Sequence, residues 1–446
     1  MDGELTLRKH VARSAEATIL LVDEYCQEYK EIFPEVRSYE NFKWLHVGIV
    51  AEIKRKSLPE IAKAVGMKSS QGLHHFLATS PWSVEKLREK RIEKTRSRLE
   101  GRKITVVIDE TGDRKKGKTT DYVSRQYLGS VGKIDNGMVS VNAYGVCENI
   151  TFPLLNQVFK PRKRLKEFDR YKTKIKIASE MVSKLVESGF KIELVLADSL
   201  YGESSQFINT LEKHNLSWVV AIRSNHGVWM PSHQQVRSNR WSQFQREFSN
   251  GKSEIRYIRE IIYGRRQSIT YWEVTTDPET LPAQSTSFIM TNLQGKLSQL
   301  KSCLGNLYGQ RTWIEYSFRQ CKQELGWTDY RFTDFASIEK WWELILSAYL
   351  MISLHTPPFR RSTEPVTQDP DTEHNNSLLV MGKHPHWQYQ RGWKNTLNNI
   401  RVLMKPSLLL WAILPWFEVF PDGQLLSSLR PLLHHVNQFQ YFFSSA

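Results

Sequence analysis

The chain has 446 residues, 40% of them hydrophobic and 11% aromatic, enough for a globular protein of about two to four domains. Its 62 Lys and Arg against 47 Asp and Glu leave a net charge of +15, which favours a polyanionic partner. Cys26, Cys147, Cys303 and Cys321 stand far apart with no Cys-x2-Cys pair, which argues against a zinc ribbon and a disulfide framework and for reduced thiols in the cytoplasm. Acids at Asp2 and Glu4 and the lack of an early apolar core argue against a signal peptide.

Residues 1–98 read as a mostly helical domain. Ser57-Leu-Pro-Glu-Ile-Ala-Lys-Ala-Val-Gly66 looks like a capped helix closed by glycine, and Ser69 to Leu77 like a second. The pair is compatible with a DNA-binding helix-turn-helix and equally with two packed helices that touch no DNA. Glu85 to Arg98 predicts an exposed, charge-dense helix.

From Arg102 strands and helices alternate. Ile104-Thr-Val-Val-Ile-Asp109 is a β-branched run ending in a carboxylate. Tyr122–Tyr127 and Met138–Val146 are the next expected strands, with Asp135-Asn-Gly137 as a tight turn. Asp113 and Asp121, in a Lys-rich stretch, are expected to be solvated. Ile175–Ser188 has the pattern of an amphipathic helix. Lys191-Ile-Glu-Leu-Val-Leu-Ala-Asp198 is a second apolar run ending in Asp, followed by a helix at Ser204–His214 and a strand at Ser217–Ile222. This order fits an RNase H-like mixed sheet, 99–222 forming its first part.

Residues 223–290 read as a β-rich insertion made basic by Arg237, Arg240, Arg246, Arg256, Arg259, Arg265 and Arg266. Trp229, Trp241, Trp272 and Phe288 are its aromatic candidates for DNA contact, although tryptophans in a small β domain also serve as core. Residues 291–355 would return to the core. Beyond them, Pro357, Pro358, Pro365 and Pro370 with three acids mark a linker, and 356–446 is completed by a helical C-terminal region. The apolar stretches Trp341–Leu354 and Leu408–Phe420 are expected to be buried helices, not membrane spans.

The signal for function lies in the return segment. Tyr308, Arg311, Glu315 and Lys322 are spaced to share one stripe of a helix expected over Leu300–Leu325. A strand-end Asp sits at the carboxyl edge of an open α/β sheet, where such sheets build their sites. Asp109, Asp198 and Glu315 together form an acid set able to hold two Mg²⁺ for in-line displacement at phosphorus. The cations and the phenol can hold phosphate oxygens.

These motifs resemble the DDE transposases of bacterial insertion sequences, the group with a Tyr-x2-Arg-x3-Glu-x6-Lys signature. The signature stands here as Tyr308-Gly-Gln-Arg311-Thr-Trp-Ile-Glu315 and Lys322, beside Val-Val-Ile-Asp109-Glu-Thr-Gly and Leu-Ala-Asp198-Ser-Leu-Tyr-Gly. The resemblance spans about residues 40–355. It implies Asp109, Asp198 and Glu315 as catalytic metal ligands, Tyr308, Arg311 and Lys322 as phosphate-binding groups, Mg²⁺ with Mn²⁺ as a substitute, and a β insertion before the third acid. It further implies double-stranded DNA as partner (transposon ends and target), a homodimer in the DNA complex, and a cytoplasmic, nucleoid-associated protein with no membrane contact. Relatives that form a hairpin stack a base on a Trp of the insertion; the corresponding strand here has Phe288, so that role is not carried over. A non-catalytic DNA-binding derivative and an RNase H-like structure-specific nuclease are the alternatives. The intact acid set weighs against the first, the complete signature against the second.

Overall fold

The structure is a computed structural model that describes residues 13–445, apart from 130, 229, 231, 249–250, 357–358, 360–381 and 422. The expected linker prolines at 357, 358, 365 and 370, and Trp229, lie outside the described residues.

Five α-helices open the described chain: α1 (Leu20–Gln27), α2 (Val36–Val50), α3 (Leu58–Ala64), α4 (Gln71–Ala78) and α5 (Val84–Leu99). Ser57 precedes α3, but its side chain makes no capping bond; Gly66, at φ +73°, closes the helix. Ser83 does cap α5, its hydroxyl accepting from the Lys86 amide at 3.2 Å. The charge-dense α5 is not simply exposed. Arg91 is fully buried, donating to Glu343 at 2.5 Å and to the Pro153 and Leu154 carbonyls.

Eleven strands of the described chain form one mixed sheet: β1 (Ile104–Arg114), β2 (Ser124–Leu128), β3 (Lys133–Cys147), β4 (Ile150–Val158), β5 (Ile192–Ala197), β6 (Trp218–Ile222), β7 (Val236–Ser238), β8 (Ser242–Glu247), β9 (Ser253–Tyr263), β10 (Thr270–Thr275) and β11 (Ser287–Thr291). The main path runs β2-β3-β1-β5-β6-β11-β10-β9-β7, with β4 on β3 and β8 on β9. β1 is parallel to β5 and β5 to β6; the other pairs are antiparallel. Residues 104–109 of β1 and 137–147 of β3 are buried without a break. Successive side chains point to opposite faces, so both faces of this part of the sheet are covered. The helices that follow the first strands are α6 (Lys174–Glu187), the short α7 (Ser199–Gly202) and α8 (Ser205–Lys213).

Strands β7–β11 are not a detached unit. β11 pairs with β6, Phe288 opposite Ile222, and thereby extends the central sheet. The Asp135-Asn-Gly137 segment is also not the expected turn. It lies within β3, with Gly137 opposite Ser124 and a neighbouring Asp113 carbonyl where a Cβ would stand, 2.6 Å away. Asn136 spends its side-chain amide on the Lys115 and Gly117 carbonyls, and the chain turns instead after Leu128, whose carbonyl accepts from the Val131 and Gly132 amides, Gly132 having φ +68°.

After the sheet come α9 (Leu297–Gly309), a 3-10 turn (Gln310–Thr312), α10 (Trp313–Gln323), α11 (Phe335–Leu354), α12 (Trp393–Val419) and α13 (Gly423–Ser445). Helix α11 is buried almost throughout, and its Glu343 is neutralised by Arg91. Helix α12 departs from the expectation of burial. Its first half packs inward, Trp393 stacked on Tyr349, but Leu409, Leu414, Trp416 and Val419 are exposed, Trp416 at 64%. That second half is covered on one side only, Trp411 lying edge-on to Trp44 at 4.9 Å and Glu418 pairing with Lys68 at 3.2 Å. By length and composition α12 is apolar enough to cross a membrane, yet its first half belongs to the protein core.

Candidate active site

Asp109 does not end its strand: β1 continues to Arg114, with Asp109 opposite Asn142. The parallel pairing with β5 does end there, since Ile108 faces Ala197, the last residue of β5. The next residues on these neighbouring strands are Asp109 and Asp198. Asp109 is buried and accepts from the Glu110 amide at 2.8 Å. Asp198 caps α7, accepting from the Leu200 amide at 2.9 Å, and is only partly buried.

The expected single helix over 300–325 is broken. Tyr308 is near the end of α9, Arg311 lies in the 3-10 turn, Glu315 is in the first turn of α10 and Lys322 in its last. The tighter turn rotates Arg311 relative to an unbroken helix. From there it bridges two acids, donating to Asp109 Oδ2 at 3.2 Å and to Glu315 Oε1 at 3.1 Å. Glu315 is otherwise open, its side chain 55% exposed. Lys322 donates to Thr111 Oγ1 and the Gly112 carbonyl, both at 2.8 Å, pinning α10 to β1 just beyond Asp109.

The electrostatics follow from this crowding. Burial, with Asp198 and Glu315 nearby, pushes the Asp109 carboxyl up to about 7 against the pull of Arg311. Burial alone would lower Arg311, but Tyr308, Asp109, Glu315 and Asp198 outweigh it and raise its pKa. Burial raises the Tyr308 hydroxyl and lowers Lys322.

Among the described residues no three Asp, Glu, His or Cys are gathered at metal-ligand distance; Arg311 occupies the space between Asp109 and Glu315. The donor chemistry still suits a divalent cation. Three carboxylates supply hard oxygens, and a cation beside them would offset the burial that, with Asp198 and Glu315 as lesser causes, raises Asp109.

Several neighbours differ from expectation. Asp113 is not solvated: it is buried, held by the Tyr330 hydroxyl at 2.6 Å and Lys115 at 2.8 Å. Asp121 accepts from the Phe335 amide at the start of α11. Trp272 is buried with its indole N–H bonded to Thr270 Oγ1, so it has no face for a base. Trp241 is partly exposed under the Arg259 guanidinium, and Phe288 is partly buried in β11. Arg256, Arg259 and Arg266 of the insertion are paired with Glu254, Glu273 and Glu260, which lessens its free positive charge.

The sequence reading missed the support of the 3-10 turn. Arg246 of β8 is buried and donates to Thr312 Oγ1 at 3.0 Å. Gly305 and Gly309 make the approach feasible: a Cβ at 305 would enter the Phe244 ring, and one at 309 would stand 3.1 Å from Arg246 Nε. Their x3 spacing within α9 was the available signal.

Two carboxylates on neighbouring segments, a third acid reached through an arginine and a partly buried lysine are chemistry suited to phosphoryl transfer. The chain matches the family model described as DDE superfamily endonuclease over residues 31–253, and that of the transposase DDE domain over 167–351. It is 53% identical over 328 residues to a probable transposase for insertion sequence element IS701 from Microchaete diplosiphon, covering 73% of this chain and 86% of the relative. A cryo-EM structure of the piggyBac transposase synaptic complex with hairpin DNA aligns with 94% of this chain and 84% of its own at 10% identity, with a TM-score of 0.42. The chain belongs to the DDE transposases of insertion sequences. It is an enzyme, and its family uses divalent metal ions.

Proposed function

We propose that this transposase binds the ends of an insertion sequence in double-stranded DNA, cleaves strands there and joins the 3′ ends to target DNA by in-line phosphoryl transfer, using Mg²⁺ or, in substitution, Mn²⁺. In this reading Asp109, Asp198 and Glu315 are the catalytic ligands on an RNase H-like sheet, and the protein acts as a homodimer on DNA in the bacterial cytoplasm, associated with the nucleoid. The 1–98 helices would contribute DNA binding, and 223–290 would be an insertion within a catalytic core of 99–222 and 291–355.

The observation that carries this reading is the adjacency of Asp109 and Asp198 at the end of the β1–β5 pairing, with Arg311 linking Asp109 to Glu315. Divalent cations on these oxygens would activate the attacking hydroxyl and stabilise the leaving 3′-oxygen. Arg311 would turn from the acids to the substrate phosphate when cations take its place. Tyr308, beside it, would add a hydrogen bond to the same phosphate. Lys322 keeps one donor beyond those bonded to Thr111 and Gly112, and this would reach a phosphate oxygen along β1.

The test is an assay on duplexes carrying the element's ends, read for binding, nicking and joining with Mg²⁺. Nicking followed by joining is expected. Binding alone would fit a non-catalytic derivative, and cleavage without joining a nuclease.

A further inference from the structure

A cavity of about 380 Å³ opens where α10 meets the chain entering α12, lined in part by Tyr316, Arg319, Gln323, Glu324, Arg391 and Asn395. Its charge is one-sided. Glu324, the acid of the lining, is already bonded to Lys394 at 2.5 Å and to Arg401 at 2.9 Å. Arg319 and Arg391 are both exposed, and neither has an acidic partner among the described residues. The Arg319 guanidinium lies over the Tyr316 ring, 5.4 Å from its centroid, a stacking that steadies a side chain otherwise free to wander.

Position matters as much as charge. Arg319 follows Glu315 by four residues on α10, which places it on nearly the same face about 6 Å further along the axis. The cavity therefore begins one helical turn from the third acid. Arg391 stands on the C-terminal side, so the two cations come from segments far apart in sequence.

We propose that this cavity is a second phosphate subsite, which takes a backbone phosphodiester of the DNA strand as it leaves the acid centre. Guanidinium groups recognise phosphate oxygens in a bidentate manner, and Gln323 and Asn395 add neutral donors. Arg319 and Arg391 leave the lining a positive charge that Glu324, spent on Lys394 and Arg401, does not offset, and an entering anion would be drawn to it. The C-terminal region gains a role by this assignment: it completes a DNA-binding surface that α10 begins. The proposal rests on the transposase reading.

The test is fluorescence anisotropy of a labelled duplex carrying the element's end, over a salt series, with the full chain and its R319Q/R391Q variant. The variant should bind about tenfold or more weakly near 0.1 M salt. Its log–log salt slope should be shallower by about 1.8, two contacts at roughly 0.9 each. R319K/R391K should recover the slope. Single methylphosphonates scanned through the strand beside the cleavage site, with the unaltered protein, keep the test independent of how the variant folds. One or two positions should weaken binding to the wild type and have no further effect on R319Q/R391Q. A wild type that binds duplex while the variant matches its affinity and slope overturns this inference and leaves the transposase reading standing. No position sensitive to methylphosphonate in that strand would overturn it too. A wild type with no salt-dependent duplex binding would overturn both.

Discussion

The acid centre is built from two unlike halves. On the sheet side, Asp109 sits in a paired strand, buried, its backbone held by β3 on one side and its preceding residue by β5 on the other. On the helix side, Glu315 is exposed and follows a 3-10 turn that must be propped by Arg246 from β8. The sheet half carries the electrostatic strain, because its carboxylate cannot escape into water. The helix half carries the freedom, because an exposed carboxylate on a first helical turn can change partners at little cost. Arg311 joins the halves and is the group whose rearrangement would convert a self-paired centre into a metal- and phosphate-binding one.

The largest expected effect comes from the acids. Asp109→Asn, Asp198→Asn and Glu315→Gln should each bring strand cleavage below detection while sparing binding to element ends, measured by gel assays with Mg²⁺. Cleavage retained by any one of them would remove that residue from the centre and break the comparison at that point.

The sheet half should show itself in a pH response without divalent cation. The Asp109 carboxyl is pushed from 3.8 up to about 7 in the folded chain. The folded state then holds a proton that the unfolded state has released, so this group's contribution to stability falls as pH rises from about 4 to about 7. Denaturant melts of the wild type should lose stability relative to Asp109→Asn across that window, by at most about 4 kcal/mol. Parallel curves for wild type and Asp109→Asn would mean that the sheet half carries no such strain.

Arg311→Ala should lower single-turnover cleavage about ten- to a hundredfold, the loss of one charge-assisted contact of roughly 1.5–3 kcal/mol. Mg²⁺ binding by calorimetry should be preserved or improved, since Arg311 competes for two of the acids. Weaker Mg²⁺ binding with unchanged cleavage at saturating metal would recast Arg311 as an organiser of the acids.

The smallest effect should come from the prop. Gly305→Ala drives a methyl into the Phe244 ring and should cost about 1–3 kcal/mol in denaturant melts. Gly309→Ala meets only the flexible Arg246 side chain and should cost less. If both variants cleave at the wild-type rate, the helix half does not depend on β8 for its geometry.

Sequence by itself determined the family and the mixed α/β class. Signature spacing, β-branched runs ending in Asp and alternating strands and helices are local patterns, written in residue types and intervals. Local pattern also gave α3, α4, α5, α6 and α8 within a residue or two. It failed where a distant partner overrides propensity. Asp-Asn-Gly at 135–137 favours a turn, but pairing with β2 and two carbonyl partners for Asn136 keep it in a strand. Asp113 looks like a loop acid until Tyr330, more than two hundred residues away, is seen on it. Nor could spacing reveal that Arg311 bridges two acids, since that requires the 3-10 turn and the register of β1 at once. The half-open α12 and the cavity joining Arg319 to Arg391 are likewise products of which segments meet. Intervals along a chain fix which residues share a face; only packing between distant segments fixes what that face meets.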